Sequence, residues 1–275
     1  MAIVARNAGE LLYLVDEQIP VPHAFTTRFG GVSGGIYASL NLGMHLDDDP
    51  AAVSENYDRI MAALGAGKEN LVISRQVHGN AVRVVGRADA EGDFFAPGTT
   101  PEADGLVTAE RDVTLAVFTA DCIPILLWTE GARTGAVGAV HAGWRSTVLD
   151  IVGKAIGKMT GLGADPGAIR AAIGPGISGC CFETGPEVPA AIDRVLGDVG
   201  ARPYKLDSEG KYMVDLKEVN RRLLIRAGVS PERVTVAAAC TMCQPETFWS
   251  HRVTKGVRGT QAAIIQCTAN HGSNL

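Results

Sequence analysis

No stretch of the sequence is both long and uninterruptedly apolar. The most apolar run, Val113 to Trp128, is broken by Asp121 and Pro124, which excludes a membrane span. Lysine and arginine form no cluster or stripe and the net charge is -5, so nucleic acid is excluded as a partner. The segment Met1 to Pro20 lacks a basic region followed by an apolar core and a cleavage site, so it is not read as an export signal. A cytoplasmic location is expected, and with it six reduced thiols rather than a disulfide scaffold. No repeat recurs at a fixed period, no tract is of low complexity, and no linker divides the chain. Residues 1–275 are read as one domain.

What is present is ordinary globular material, 46% hydrophobic and 20% charged, in a chain long enough to bury a sizeable core. Short runs rich in β-branched residues predict strands at 11–15, 70–74, 81–85, 105–108, 113–119, 123–128, 135–140, 169–173, 234–238 and 261–266. Helical spacing predicts helices at 50–64, 146–159, 186–196 and 215–227. The first has Asp49 as its cap and Pro50 at its first position; the last runs from Asp215 to a stop at Gly228. Residues 86–100, with acids, glycines and Pro97, read as an exposed loop. Elements in this mixed order lack the strict alternation of a doubly wound fold. They predict an α+β, or mixed α/β, fold: a layered sandwich of mixed β-sheets flanked by helices.

Three segments put a metal-capable side chain where an apolar strand begins or ends: Gln76-Val77-His78-Gly79, Thr119-Ala120-Asp121-Cys122 and Val140-His141-Ala142-Gly143-Trp144-Arg145. Strand ends are where a rigid scaffold aims side chains into a cleft. Two imidazoles and a thiolate suit zinc or copper, and three protein ligands leave one position for water or substrate. The long spacing is no local metal motif, and the bland alternative is two satisfied histidines and a small buried cysteine. Asp121 has three open roles: orienting a histidine, acting as a general acid or base, or capping a turn. The loop around Gly30, Gly31, Gly34 and Gly35 lacks the strand and helix context of a dinucleotide site and reads as a turn. Cys180-Cys181 and Cys240-x-x-Cys243 invite a four-cysteine zinc reading, but adjacent cysteines are an awkward ligand pair, and no role is expected for Cys243.

Together the segments resemble the purine nucleoside phosphorylase family formerly called multicopper polyphenol oxidase or laccase-domain proteins, which includes the peptidoglycan editing factor. The resemblance begins at His23-Ala24-Phe25-Thr26-Thr27-Arg28-Phe29-Gly30-Gly31-Val32-Ser33 and continues through Ser39-Leu40-Asn41-Leu42-Gly43. It takes in the three segments above, Ile173-Gly174-Pro175-Gly176-Ile177 with Cys180-Cys181, Cys240-Thr241, and Phe248-Trp249-Ser250-His251-Arg252. It implies a metal, zinc or else copper, on His78, Cys122 and His141, with these residues and Asp121 forming the catalytic group. The family usually carries a Gly-Arg pair before its last strand; here Gly259 precedes Thr260, with Arg258 one position earlier.

The activity implied is phosphorolysis of adenosine, inosine or methylthioadenosine to free base and ribose 1-phosphate, with adenosine deamination as a side activity. Arg28, Asn41, Arg145 and Arg252 lie in matching segments and are expected to bind nucleoside and phosphate, since arginine grips phosphate through two parallel hydrogen bonds. Arg145, four residues after His141, is the foremost of these. Two alternatives use the same residues: an amide hydrolase with Cys122 as nucleophile, acting in peptidoglycan precursor editing, and a copper-dependent polyphenol oxidase. The second meets a shortage, since a multicopper site needs many more than six histidines. The sequence gives no oligomeric state.

Overall fold

The structure is a computed structural model that describes residues 2–90, 100–129, 135–197 and 200–268. The chain opens with β1 (Ile3–Ala8), β2 (Leu11–Asp16), β3 (His23–Thr26), α1 (Pro50–Ala63), β4 (Leu71–Val72) and β5 (Val82–Val84). Its middle contains β6 (Gly105–Thr108), β7 (Thr114–Thr119), β8 (Ile123–Thr129), β9 (Ala136–Ala142), α2 (Trp144–Val148) and α3 (Ile151–Gly161). β10 (Arg170–Ile173), β11 (Glu183–Thr184), α4 (Glu187–Leu196), β12 (Tyr204–Leu206) and β13 (Tyr212–Val214) follow. α5 (Leu216–Arg226), β14 (Val234–Val236), α6 (His251–Thr254) and β15 (Gln261–Gln266) complete it.

Two six-stranded mixed sheets carry the fold, ordered β1-β2-β3-β15-β7-β4 and β14-β10-β8-β9-β6-β5, beside a small sheet β11-β13-β12. Side chains alternate across each strand, so each large sheet offers two faces. Leu115 and Val117 of β7, with Ala263 and Ile265 of β15, pack against Leu126, Trp128, Val137 and Ala139 of the second sheet. The opposite face of β7 and β15, through Ala116, Ala262 and Ile264, meets Val53, Tyr57, Ile60 and Met61 of α1. Beyond the second sheet, Ile125, Leu127 and Val140 pack on Val152 and Ile156 of α3 and on Val219 and Leu223 of α5. The result is the layered sandwich of mixed sheets flanked by helices. Because both faces of β7, β8, β9 and β15 are covered, their sequences are apolar runs and not alternations.

Several expected elements differ in extent. The helix expected over 146–159 is two, α2 and α3, because Asp150 sits in a left-handed conformation (φ 56°) and its carboxylate caps Gly153 N–H. The strand expected at 70–74 contracts to Leu71–Val72. β1, β3 and the small sheet were not foreseen from the sequence; they are short or polar, and pairing rather than pattern makes them strands. Within the loop expected at 86–100, Arg87–Ala90 form a single 3₁₀ turn, and residues 91–99 lie outside the described part.

Candidate active site

The site lies where the chain passes from one large sheet to the other. Ala120 to Cys122 join β7 of the first sheet to β8 of the second, and the loop containing His78 joins β4 of the first to β5 of the second. His141 extends the Val137–Ala139 face of β9, so its ring enters the end of the layer between the sheets. The three metal-capable atoms of His78, Cys122 and His141 lie within 4.8 Å of one another. Cys122 Sγ is 3.9 Å from His78 Nε2, and the two imidazoles meet edge to face at 4.9 Å between centroids.

Asp104, absent from the sequence-based site, organises this group. It is fully buried just before β6, and its carboxylate accepts the N–H groups of Val77 (3.2 Å), His78 (3.0 Å) and Gly79 (2.7 Å). The same carboxylate bonds His141 Nδ1 at 2.8 Å, leaving Nε2 as the free ring nitrogen. Burial favours protonation of Asp104, but the His141 hydrogen bond and charge, followed by the loop N–H groups, prevail and hold its carboxyl below the usual range. Gln76 adds a second tie, bonding both Phe118 N–H (2.6 Å) and Phe118 C=O (2.7 Å) of β7. Thus held, His78 adopts a positive φ of 56°.

Burial would push the Cys122 thiol up, yet the charge and hydrogen bond of His141, with the contribution of His78, draw it down to about 6. His141 moves the opposite way, to about 9: burial disfavours its cation, but Cys122 and Asp104 outweigh that penalty. A thiolate beside two imidazoles is a borderline-soft donor set that fits zinc or copper. The donors lie within 4.8 Å of one another, and a tetrahedral zinc would need separations of about 3.5 Å, so they would close by at most about 1.3 Å.

Of the three roles open to Asp121, its hydrogen bonds match the backbone-capping one. Its carboxylate accepts Thr241 Oγ1–H at 2.6 Å and Arg252 N–H at 2.7 Å, so it fastens two chain segments, and the histidine-orienting role belongs to Asp104. His78, Cys122 and His141 open onto a cavity of about 700 Å³ whose wall includes Phe118, Asp121, Phe182, Arg252 and Arg258. Arg252 lies 5.7 Å from the Phe182 ring. Arg258 donates to Gly259 C=O and Thr260 Oγ1, while its buried Nε has no hydrogen-bond partner among the described residues. His45 and Arg75 stand at the same cavity.

Three of the four residues expected to bind substrate are not brought to this cavity. Arg28 is consumed by the carbonyls of Ala38 (2.8 Å) and Pro245 (2.9 Å) and stacks over Trp249. Asn41 is wholly buried and bonds Gly43 N–H, Thr260 N–H and Asp48. Arg145 is exposed on α2 and covers its neighbour Trp144, because the turn at Gly143 directs Ser146 and Thr147 inward instead. Arg258 takes the position at the cavity, and its placement beside Gly259 was the only sequence signal for it.

Known proteins resemble this chain over most of its length. A purine nucleoside phosphorylase of Deinococcus radiodurans is 42% identical over 254 residues, covering 92% of each chain. Purine nucleoside phosphorylase YlmD of Geobacillus stearothermophilus is 38% identical over 244 residues, covering 87% of this chain and 88% of that one. The crystal structure of the Geobacillus protein YlmD superposes with a TM-score of 0.89 at 33% identity, covering 98% of this chain and all of that one. Since residues 22–268 also match the family described as multi-copper polyphenol oxidoreductase laccase, the chain belongs to that family.

Proposed function

We propose that this protein is a purine nucleoside phosphorylase that cleaves adenosine, inosine or methylthioadenosine with phosphate, and that adenosine deamination is a second activity of the same cavity. The observation that carries the reading is the cavity itself, which sets Arg252 and a part-satisfied Arg258 beside the His78, Cys122 and His141 donors. Phosphorolysis breaks the bond between ribose C1′ and the purine nitrogen and joins C1′ to a phosphate oxygen. The chain must therefore hold phosphate on the face of the ribose opposite the base. Arg258 and Arg252 are the groups for this, and Phe118 and Phe182 offer aromatic faces for a purine. Asp121 holds Arg252 in place through its backbone N–H.

His78, Cys122 and His141 would hold the metal, zinc by preference and copper second, with Asp104 fixing the tautomer of His141. Bound there, the metal supplies Lewis acidity that lowers the pKa of water, which is what deamination needs. His78 and Cys122 come from connections between the sheets and His141 from β9, so the site depends on both layers, and residues 1–275 are taken as one domain. Free thiols fit a reducing, cytoplasmic setting.

The test is turnover of a nucleoside panel with and without inorganic phosphate, with product sugar identified. Ribose 1-phosphate formed only with phosphate is expected; free ribose formed regardless of phosphate would refute the phosphorylase. The lowered Cys122 thiol also suits a nucleophile for an amide hydrolase. Metal analysis separates that reading, since a nucleophile needs no bound ion.

A further inference from the structure

Outside the cavity, two pairs of cysteines that lie about 60 positions apart in sequence converge. Sγ of Cys181 is 3.6 Å from that of Cys180 and 3.3 Å from that of Cys243, and Cys180 and Cys243 are 3.6 Å apart. With Cys240, all four sulfurs lie within 4.8 Å of one another. We propose that Cys180, Cys181, Cys240 and Cys243 form a second metal site, a four-thiolate site for one zinc ion that clamps a wall of the active cavity.

The spacing is the first argument. Zinc–sulfur bonds of about 2.3 Å put sulfurs about 3.8 Å apart at the corners of a tetrahedron. A disulfide would bring one pair to about 2.05 Å and leave the others at unrelated distances. Three nearly equal separations instead outline one face of a tetrahedron. The adjacent pair is workable because Cys180 and Cys181 lie in a turn, closed by Cys181 N–H on Ser178 C=O at 2.9 Å. In a strand the two side chains would point to opposite faces.

The surroundings are the second argument. Cys240, the buried member, accepts N–H from Ser178 at 3.3 Å and from the Met242 and Cys243 backbone, a setting that stabilises a thiolate. Lys217 of α5 is buried nearby, with Nζ on the carbonyls of Ala237 (2.9 Å) and Ala239 (2.6 Å). Among the described residues no carboxylate pairs with it, whereas Cys240 leads the negative groups that act on it. A divalent ion with four thiolates carries two net negative charges, and a buried ammonium offsets one.

The consequence reaches the cavity. Thr241 N–H bonds Gly176 C=O at 3.2 Å, and Thr241 Oγ1 holds Asp121. The two cysteine turns therefore flank Ile177, Phe182 and Arg252, all of which line the cavity. An ion joining the turns would fix that wall independently of whichever reaction the cavity runs.

The full-length chain decides the matter in two measurements. Zinc content after purification should be about two per chain for the wild type and about one for either Cys122→Ala or the double variant Cys180→Ser/Cys243→Ser. Cobalt loaded into Cys122→Ala, which lacks the thiolate of the first site, should still give tetrahedral visible bands and thiolate charge transfer. That second reading stands even where the double variant fails to fold. A single zinc in the wild type that the double serine variant retains would overturn the proposal. So would cobalt-loaded Cys122→Ala without thiolate charge transfer, or an intact mass two hydrogens short, which marks a disulfide.

Discussion

One buried carboxylate, Asp104, carries much of the organisation of the ligand group. It fastens the loop that presents His78 and bonds the ring of His141, residues that stand 63 positions apart in sequence. Asp104→Asn should leave only part of that network, since an amide oxygen accepts but its nitrogen repels the N–H donors. Metal affinity should fall on the order of 10- to 100-fold, as for other groups that orient a ligand. Competition with a chelator measures this, and unchanged affinity would show that His141 needs no orientation. In metal-free protein the Cys122 thiol is ionised above its lowered pKa, so its alkylation rate should rise through pH about 6 and level off by neutrality. The midpoint is the diagnostic quantity: a weaker-base thiolate is also less nucleophilic, and the gain in ionised fraction is largely cancelled in absolute rate. Added zinc should suppress the reaction. A midpoint near 8.5, the ordinary thiol value, would remove the imidazole contribution. The histidines and cysteine were legible because each stands where an apolar strand begins or ends, in a segment that resembles a known family. Asp104 was not, since its partners lie 25 to 37 positions away and its only local mark is an acid at the head of an apolar strand.

At the scale of elements, the junction of β9 and α2 shows how little space His78 and Cys122 leave. A Cβ on Gly143 would lie 3.0 Å from His78 Cδ2 and 3.3 Å from Cys122 Sγ. The backbone there, φ -67° and ψ 168°, suits any residue, so Gly143→Ala crowds the ligands without straining the turn. Metal affinity should drop about tenfold, comparable to loss of one orienting contact, while the metal-free protein melts nearly where the wild type does. An equal drop in melting temperature without metal would assign Gly143 to folding instead. Strong apolar runs such as 105–108 and 261–266 matched their strands to the residue, because burial on both faces leaves no other place for them. The helix break at Leu149–Asp150 was hidden: every residue of 146–159 tolerates a helix, and only the left-handed Asp150 and its cap divide it. Likewise the three strands of the small sheet are two or three residues long and carry no periodic signal.

For the whole molecule, the decisive feature is that connections between two stacked sheets converge at one end, so a cavity forms where the layer between them is incompletely filled. Sequence spacing cannot show which arginine reaches such a place. Arg145 is four residues from His141 and faces solvent; Arg258 is 113 residues beyond Arg145 and lines the cavity with His78, Cys122 and His141. The two therefore make a matched pair of tests. Arg258→Ala removes a charge-assisted contact of about 1.5–3 kcal/mol, so the phosphate KM should rise roughly ten- to hundredfold. Adenosine deamination, which consumes water and no phosphate, should change far less. Arg145→Ala should leave both activities within about twofold of the wild type, because truncating an exposed side chain removes little beyond its cover of Trp144. If Arg258 merely braced Thr260, its loss would lower both activities together and leave the phosphate KM in place. If Arg145→Ala instead raised the phosphate KM and Arg258→Ala did not, phosphate would have to bind on the outer side of α2, away from the cavity. That outcome would overturn the placement of the reaction as well as the assignment of the arginine.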